Sequence, residues 1–254
     1  MKRILYLIAF SIIVFCCNSC GKVDNYAAPS VTLKGSVIDS VTGKTVQTEI
    51  GGNGTRVKLM EISWSATPTP YYFYSMQDGT FNYTKLFAGK DIVTVEGPFV
   101  PLVQTDNTGN ITVNKGKTVD IKGVTTLNFN VEPFLRVEWV GDPILNANGS
   151  ITANIKFTRG TANPNFQLNI TDVYLFVNAT KYVGNNNYDN RYSTKVSYSG
   201  SNGNALIGQT VTITTNTASG ALPGKRDYFL RVGARIQYGL NYYNYSEVKT
   251  VTVP

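Results

Sequence analysis

From Ser30 onward, apolar and polar side chains alternate with a period of two, and no useful length of chain repeats with the 3.6-residue period of a helix. Val31-Thr32-Leu33-Lys34-Gly35-Ser36-Val37-Ile38-Asp39 is one such run, and Arg56-Val57-Lys58-Leu59-Met60-Glu61-Ile62 is another. Further runs cover Val119 to Val131, Ser150 to Phe157, Val173 to Val177, Thr210 to Thr214, Tyr228 to Tyr238 and Val248 to Val253. All are rich in Val, Ile, Thr, Tyr and Phe, whose branched or flat side chains suit a pleated surface. Turn formers separate them: Thr42-Gly43, Gly51-Gly52-Asn53-Gly54, Asp78-Gly79, Asn148-Gly149, Gly184-Asn185-Asn186-Asn187 and Pro223-Gly224. Short strands at this spacing predict an all-β chain of two β-sandwich domains in series. The best boundary is Glu132-Pro133, where one long apolar strand ends before another begins at Leu135, so the domains are expected at 30–132 and 133–254.

The first thirty residues follow another pattern. Lys2 and Arg3 precede Ile4 to Cys17, a 14-residue, mostly apolar stretch. A membrane-spanning helix needs about 20 such residues, so this one fits the apolar region of a secretory signal instead. It runs into Cys17-Asn18-Ser19-Cys20-Gly21, which resembles a bacterial lipobox, in which a Cys after small residues is acylated and becomes the mature N-terminus. The expectation is a signal peptide over 1–19, acylation at Cys20 and a polar tether over 20–29. Cys16 is the alternative acceptor, and an ordinary cleaved signal is the alternative to both.

Composition then narrows the chemistry. The chain has 254 residues, no His, and three Cys, all before residue 21. Without His there is no Ser-His-Asp triad, no Cys-His dyad and no imidazole-ligated metal. If Cys20 is acylated, the mature body has no thiol or disulfide, and its core alone must hold it. Removing residues 1–19 takes Lys2 and Arg3 and lowers the formal charge from +7 to +5. The remaining Lys and Arg are scattered without a run, so nucleic acid is not an expected partner.

Two modules resemble known ones. Val31-x-Leu33-x-Gly35-x-Val37-x-Asp39-x-x-Thr42-Gly43, with Asp78-Gly79-Thr80-Phe81 and Leu86-x-x-Gly89 later, resembles a transthyretin-like, carboxypeptidase-regulatory-like domain. In it Gly79 and Gly89 are expected at positive φ, with Phe81, Leu86, Ile92 and Val95 in the core. Leu222-Pro223-Gly224 followed by Tyr228-x-Leu230-Arg231-Val232-x-Ala234 resembles the tyrosine corner of a fibronectin type III or immunoglobulin-like domain, with Tyr228 bonding back to the backbone. The arrangement as a whole is similar to two-domain lipoproteins of Bacteroidetes encoded beside SusD-like glycan-binding proteins and SusC-like transporters. That resemblance implies an outer-membrane protein, held by its lipid and exposed at the cell surface, that assists polysaccharide capture. It implies no catalytic residues and no cofactor.

Candidate chemistry is sparse. A glycosidase needs two carboxyls about 5–10 Å apart in a cleft, and no pair stands out among acids that sit in turns or point outward from strands. Asn185-Asn186-Asn187-Tyr188-Asp189-Asn190 offers oxygens for calcium but one carboxylate only, so no metal site is assigned. The plainer reading is an Asn-rich loop in left-handed turn conformations. Aromatic loops are more promising, because sugars stack their C–H faces on rings and hydrogen-bond to amides and charged groups. Tyr71-Tyr72-Phe73-Tyr74 must turn one pair of rings away from the core. Tyr188, Asn186, Asn187, Asp189 and Arg191 in one loop, and Tyr242 and Tyr243 in another, are the expected glycan contacts, with a protein–protein surface as the alternative. Trp64 and Trp139 are assigned to the core.

Overall fold

The computed structural model describes residues 27–254, so the expected signal peptide, Cys20 and most of the expected tether lie outside the described residues. The described chain is all-β, with nineteen strands and three short 3-10 turns. Its first half runs β1 (Val31–Asp39), β2 (Arg56–Glu61), β3 (Tyr71–Tyr74), β4 (Thr80–Leu86), β5 (Gly89–Glu96), β6 (Val103–Thr105), β7 (Ile111–Asn114), β8 (Lys117–Ile121), β9 (Val124–Thr126) and β10 (Phe129–Val131). The second half runs β11 (Leu135–Trp139), β12 (Ile144–Leu145), β13 (Ile151–Arg159), β14 (Ile170–Asn178), β15 (Thr194–Ser197), β16 (Thr210–Thr214), β17 (Arg226–Ile236), β18 (Asn244–Tyr245) and β19 (Lys249–Val253).

In the first half, β1 carries β4 antiparallel on one edge and β9 then β10 parallel on the other. The facing sheet has the order β3-β2-β5-β8. Alternation places Leu33, Val37, Val57, Phe73, Phe81, Val93 and Val95 between the two sheets. Phe73 stacks on Tyr83, centroids 4.8 Å apart, and meets the edge of Phe81 at 5.9 Å. Tyr72 and Tyr74 point outward, as the alternation required. Ile92 does not enter the core: it is an odd number of residues from Val95, and neighbouring strand positions face opposite ways. Gly79 takes the expected positive φ of 79°, whereas Gly89 does not and is the extended first residue of β5.

In the second half, β13 pairs with β11 and β12 along one edge and β16 along the other. The facing sheet has the order β15-β14-β17, with β18 and β19 sharing the far edge of β17. Ile151, Ala153, Ile155 and Phe157 of β13 meet Val173, Leu175 and Val177 of β14 and Leu230, Val232 and Ala234 of β17. The buried Tyr228 donates its hydroxyl to Pro223 O at 3.1 Å, the corner contact its sequence context anticipated.

A third, smaller core lies outside this sandwich, on the outer face of β14 and β17. Phe176, Val183, Tyr243 and Tyr245 are buried there, with Tyr174, Tyr188 and Phe229 packed against them. The loops over 179–193 and 237–248 fold back to cover this face. Trp139 is half-buried against the main core, as assigned, but Trp64 is not in a core at all: it is 67% exposed.

Candidate functional site

The covering loops also reach the first half of the chain, and there the expected ligand residues are used. Asn186 donates its backbone N–H to Glu49 Oε2 at 3.2 Å and its side-chain amide to Ile50 O at 2.6 Å, while its Oδ1 accepts from Asn53. Tyr242 donates its hydroxyl to Gly52 O at 2.9 Å. Asn187 braces its own loop, bonding Tyr182 O, Thr180 and Asn178. Asp189 forms an ion pair with Arg191 at 2.7 Å, so its carboxylate is not free for a cation. Tyr188 meets Tyr174 and Phe176 edge-on at 5.3 and 5.4 Å. Tyr243 is 4% exposed, hydrogen-bonded to Asp172 and edge-on to Phe176. Burial, reinforced by the Asp172 carboxylate, pushes its phenol well above the ordinary range.

Of the expected contacts, Tyr243 is the one that burial removes. A ring that stacks on sugar needs an open face, and Tyr243 has none; the polar atoms of Asn186 and Tyr242 already bond the other half of the chain. Nor does the Asn-rich loop take left-handed conformations: among the described residues positive φ outside glycine occurs at Lys225 and Asn241. The asparagines act through their amides instead.

The residues that sequence reading missed lie beneath this contact. Arg231 of β17 is fully buried and donates to Ser246 O at 3.0 Å, Thr48 O at 2.7 Å and Gln77 O at 3.1 Å. Its guanidinium lies 4.2 Å from the Tyr245 ring centre, and Tyr245 donates its hydroxyl at 2.8 Å to the buried Glu49. Cation, ring and carboxylate thus form one buried series across the junction. Burial lowers the Arg231 guanidinium to about 10, which leaves it charged at neutral pH. Gly184 makes the approach possible, because a Cβ there would stand 2.3 Å from Glu49 Oε2. The one available signal was Arg231 itself, a charge at an alternate position of a strand whose other face is apolar.

On one side of the junction a cleft of about 360 Å³ opens between the 39–47 hairpin and strands β11 and β19. At one end Arg136 grips Asp39 with two bonds of 2.5 and 2.9 Å and also donates to Arg159 O and Gly160 O. Burial opposes the Asp39 charge, but the bonds from Arg136 and Val41 N–H outweigh it and hold the carboxyl below 3.8. An acid kept ionised in this way is no proton donor. Trp139 lines the cleft with its indole N–H donated to Glu247 O at 2.8 Å and Lys249 Nζ 5.8 Å from its ring. Thr42, Lys44, Gln47, Glu138 and Glu247 supply further polar groups. Such a mixture of one indole, hydroxyl, amide and both signs of charge suits a polyhydroxylated ligand better than an apolar one.

Carboxylates do meet elsewhere. Glu61 and Asp91 face each other across β2 and β5, a juxtaposition that the sequence did not mark. Both Glu61 oxygens accept backbone N–H groups, from Ser63 at 2.7 Å and Trp64 at 3.2 Å. Asp91 is buried, and its burial, with a smaller push from Glu61, raises its carboxyl to about 6. Neither residue lines the junction cleft. Among the described residues no group of three or more Cys, Asp or Glu converges to hold a metal.

The N-terminal domain of a protein family of unknown function, DUF3823, matches residues 31–125, and that family's C-terminal domain matches 142–250. A DUF3823 family protein from Bacteroides uniformis superposes with a TM-score of 0.83 at 38% identity, over 89% of this chain and 100% of that one. A second solved structure from the same species, a candidate carbohydrate binding protein, gives a TM-score of 0.67 at 22% identity over 89% of this chain and 100% of its own. A DUF3823 family protein from Parabacteroides merdae gives 0.64 at 21% identity over the same shares. No curated protein matches. With both family domains present in order and the whole fold shared at 38% identity, the chain belongs to the DUF3823 family.

Proposed function

We propose that the protein is a non-enzymatic, lipid-anchored outer-membrane protein that holds glycan at the cell surface beside a SusCD-like import system. The observation that carries this reading is the junction cleft, where one half-buried indole meets Thr42, Lys44, Gln47 and Glu138 in a space the size of a short saccharide. The structural relative named as a candidate carbohydrate binding protein, and the lipobox-like Cys17-Asn18-Ser19-Cys20, support it independently. Affinity gel electrophoresis against a polysaccharide panel tests it. The mature chain should be retarded by at least one glycan, and Trp139→Ala should abolish the retardation. An intact fold retarded by none counts against direct binding. Acylation is tested separately: Cys20→Ala should move the protein from the envelope to the soluble fraction.

A docking role without sugar is the second reading. It is favoured by an apolar recess of about 240 Å³ on another side of the junction, lined by Phe99, Leu102, Phe134, Tyr238, Leu240 and Tyr242. Specific retention of a SusD-like protein by the immobilised mature chain, lost in Leu240→Asp, would select it.

A further inference from the structure

At the end of the first domain away from the junction, apolar side chains stand bare. Trp64 is 67% exposed, Phe87 48% and Tyr71 46%. Trp64 and Phe87 lie 6.1 Å apart, and Tyr71 leans on Tyr83 at 5.7 Å. Val124, 66% exposed, belongs to the same end, because Thr32 pairs with it and donates to Gly123 O. The loop carrying Trp64 is held rigidly: Glu61 accepts from Ser63 and Trp64, and Ser63 accepts from Lys90 N–H. An aromatic pair presented in this way has lost its loop entropy without gaining burial, which makes it a surface prepared for a contact.

The chain itself indicates which contact. β1 begins at Val31 at this same end, with Val31 opposite Leu86, the residue before Phe87. Seven residue steps separate Ala27, where the described chain begins, from Cys20, a reach of at most about 25 Å. Exposed Lys85 and Lys122 flank the aromatics, while Lys90 stands opposite Asp120 and the Glu61 carboxylate is occupied by backbone donors. Amphipathic rings with nearby lysines are the side chains that settle at a membrane–water interface.

We propose that Trp64, Phe87, Tyr71 and Val124 form a membrane-contacting tip that rests in the headgroup region of an anionic bilayer and holds the junction at the far end of the domain from it. The inference rests on the reading of Cys20 as the anchor for its biological setting, but its test does not. The chain from Gly21 onward contains every described element of the fold, and the 38% identical relative, whose whole chain superposes on 89% of this one, is folded without the rest. With Trp139→Phe, Trp64 becomes the sole tryptophan of the chain. Its emission should shift to the blue and be quenched by brominated acyl chains when vesicles of three parts phosphatidylethanolamine to one part phosphatidylglycerol are added. In the wild-type background, Trp64→Ala with Phe87→Ala should lower vesicle co-sedimentation about tenfold, the loss expected when ring burial worth one decade of partition is removed. With circular dichroism unchanged, an emission that ignores vesicles overturns the proposal. So does a shift produced by oligosaccharide alone, which makes the tip a sugar platform, or by raised protein concentration alone, which makes it a self-association face. Acylated Cys20 without Trp64 quenching removes the tip and leaves the anchor; quenching without acylation removes the anchor and leaves the tip.

Discussion

Two aromatic surfaces lie at opposite ends of the first domain and have opposite fates. At the junction, Tyr243 and Tyr245 are buried, and Asn186, Tyr242 and Tyr245 bond the other half of the chain, while Tyr243 and Asn187 are held within their own half. At the tip, Trp64, Phe87 and Tyr71 are bare. The amino-acid types would suggest the reverse, since Tyr and Asn are the residues of adaptable binding loops and Trp is a residue of cores. What separates the two is not composition but whether another segment exists to cover the rings. The junction rings face a second domain; the tip rings face the direction in which the chain leaves. An aromatic loop is therefore a statement about unmet surface, and its use depends on what the rest of the chain brings to it.

The sharpest way to break the contrast is to uncover the junction. Arg231→Met removes the cation and leaves the carbonyls of Thr48 and Ser246 without their donor, Gln77 O with the Thr48 N–H alone, and Glu49 without its opposite charge. Removing one partner of a buried charge arrangement costs about 3–5 kcal/mol. Calorimetry should show one cooperative transition in the parent and two in the variant, as the domains unfold apart. A single transition, with stability lowered by less than about 1 kcal/mol, would mean that the junction is not what unites them.

Gly184→Ala tests the same contact by crowding it. The added carbon would sit 2.3 Å from Glu49 Oε2, and the glutamate is fixed by Tyr245 and by Ile50 N–H. The loop must therefore back away, at a cost of about 2 kcal/mol in a urea titration. No measurable change would show that the loop and Glu49 do not touch in solution.

The fold was legible because it depends on alternation, a local signal. Val57 and Leu59, or Phe73 between Tyr72 and Tyr74, fall on the face that period two assigns them. Ile92, expected in the core from the module resemblance, obeys the same alternation and falls on the face opposite Val93 and Val95. The site was less legible because its partners are remote. Tyr243 is buried by Asp172 and Phe176, some seventy residues earlier, and Asn186 is tied by a hydrogen bond to Glu49, 137 residues earlier. No periodicity reports such pairs. Trp64 was legible in principle: Ser63-Trp64-Ser65-Ala66-Thr67-Pro68-Thr69-Pro70 is a polar, proline-broken run, and its neighbours marked a surface loop more strongly than the tryptophan marked a core.

At the tip the contrast can be sharpened by pH. The Asp91 carboxyl is raised to about 6 in the folded protein against 3.8 for the ordinary group. The native state therefore holds this proton more tightly than the unfolded chain, and stability falls as pH rises from about 4 to about 6. Asp91→Asn should remove that slope and stabilise the protein at pH 7 by about 1–2 kcal/mol, in urea titrations across the range. Its midpoint should be flat where the parent's declines, and an unchanged slope would place the titration in another group.

The smallest effect belongs to the bare rings. Trp64→Ala with Phe87→Ala deletes two large side chains, which in a core would cost several kcal/mol. Here both stand in solvent and touch mainly each other, so stability should change by about 0.5 kcal/mol or less in the same titration. Against Arg231→Met, one buried side chain at the junction outweighs two aromatic ones at the tip. If the double variant instead loses more than about 2 kcal/mol, the rings are covered in solution, by a neighbouring copy or by the chain before Ala27, and the two ends of the domain are not opposites.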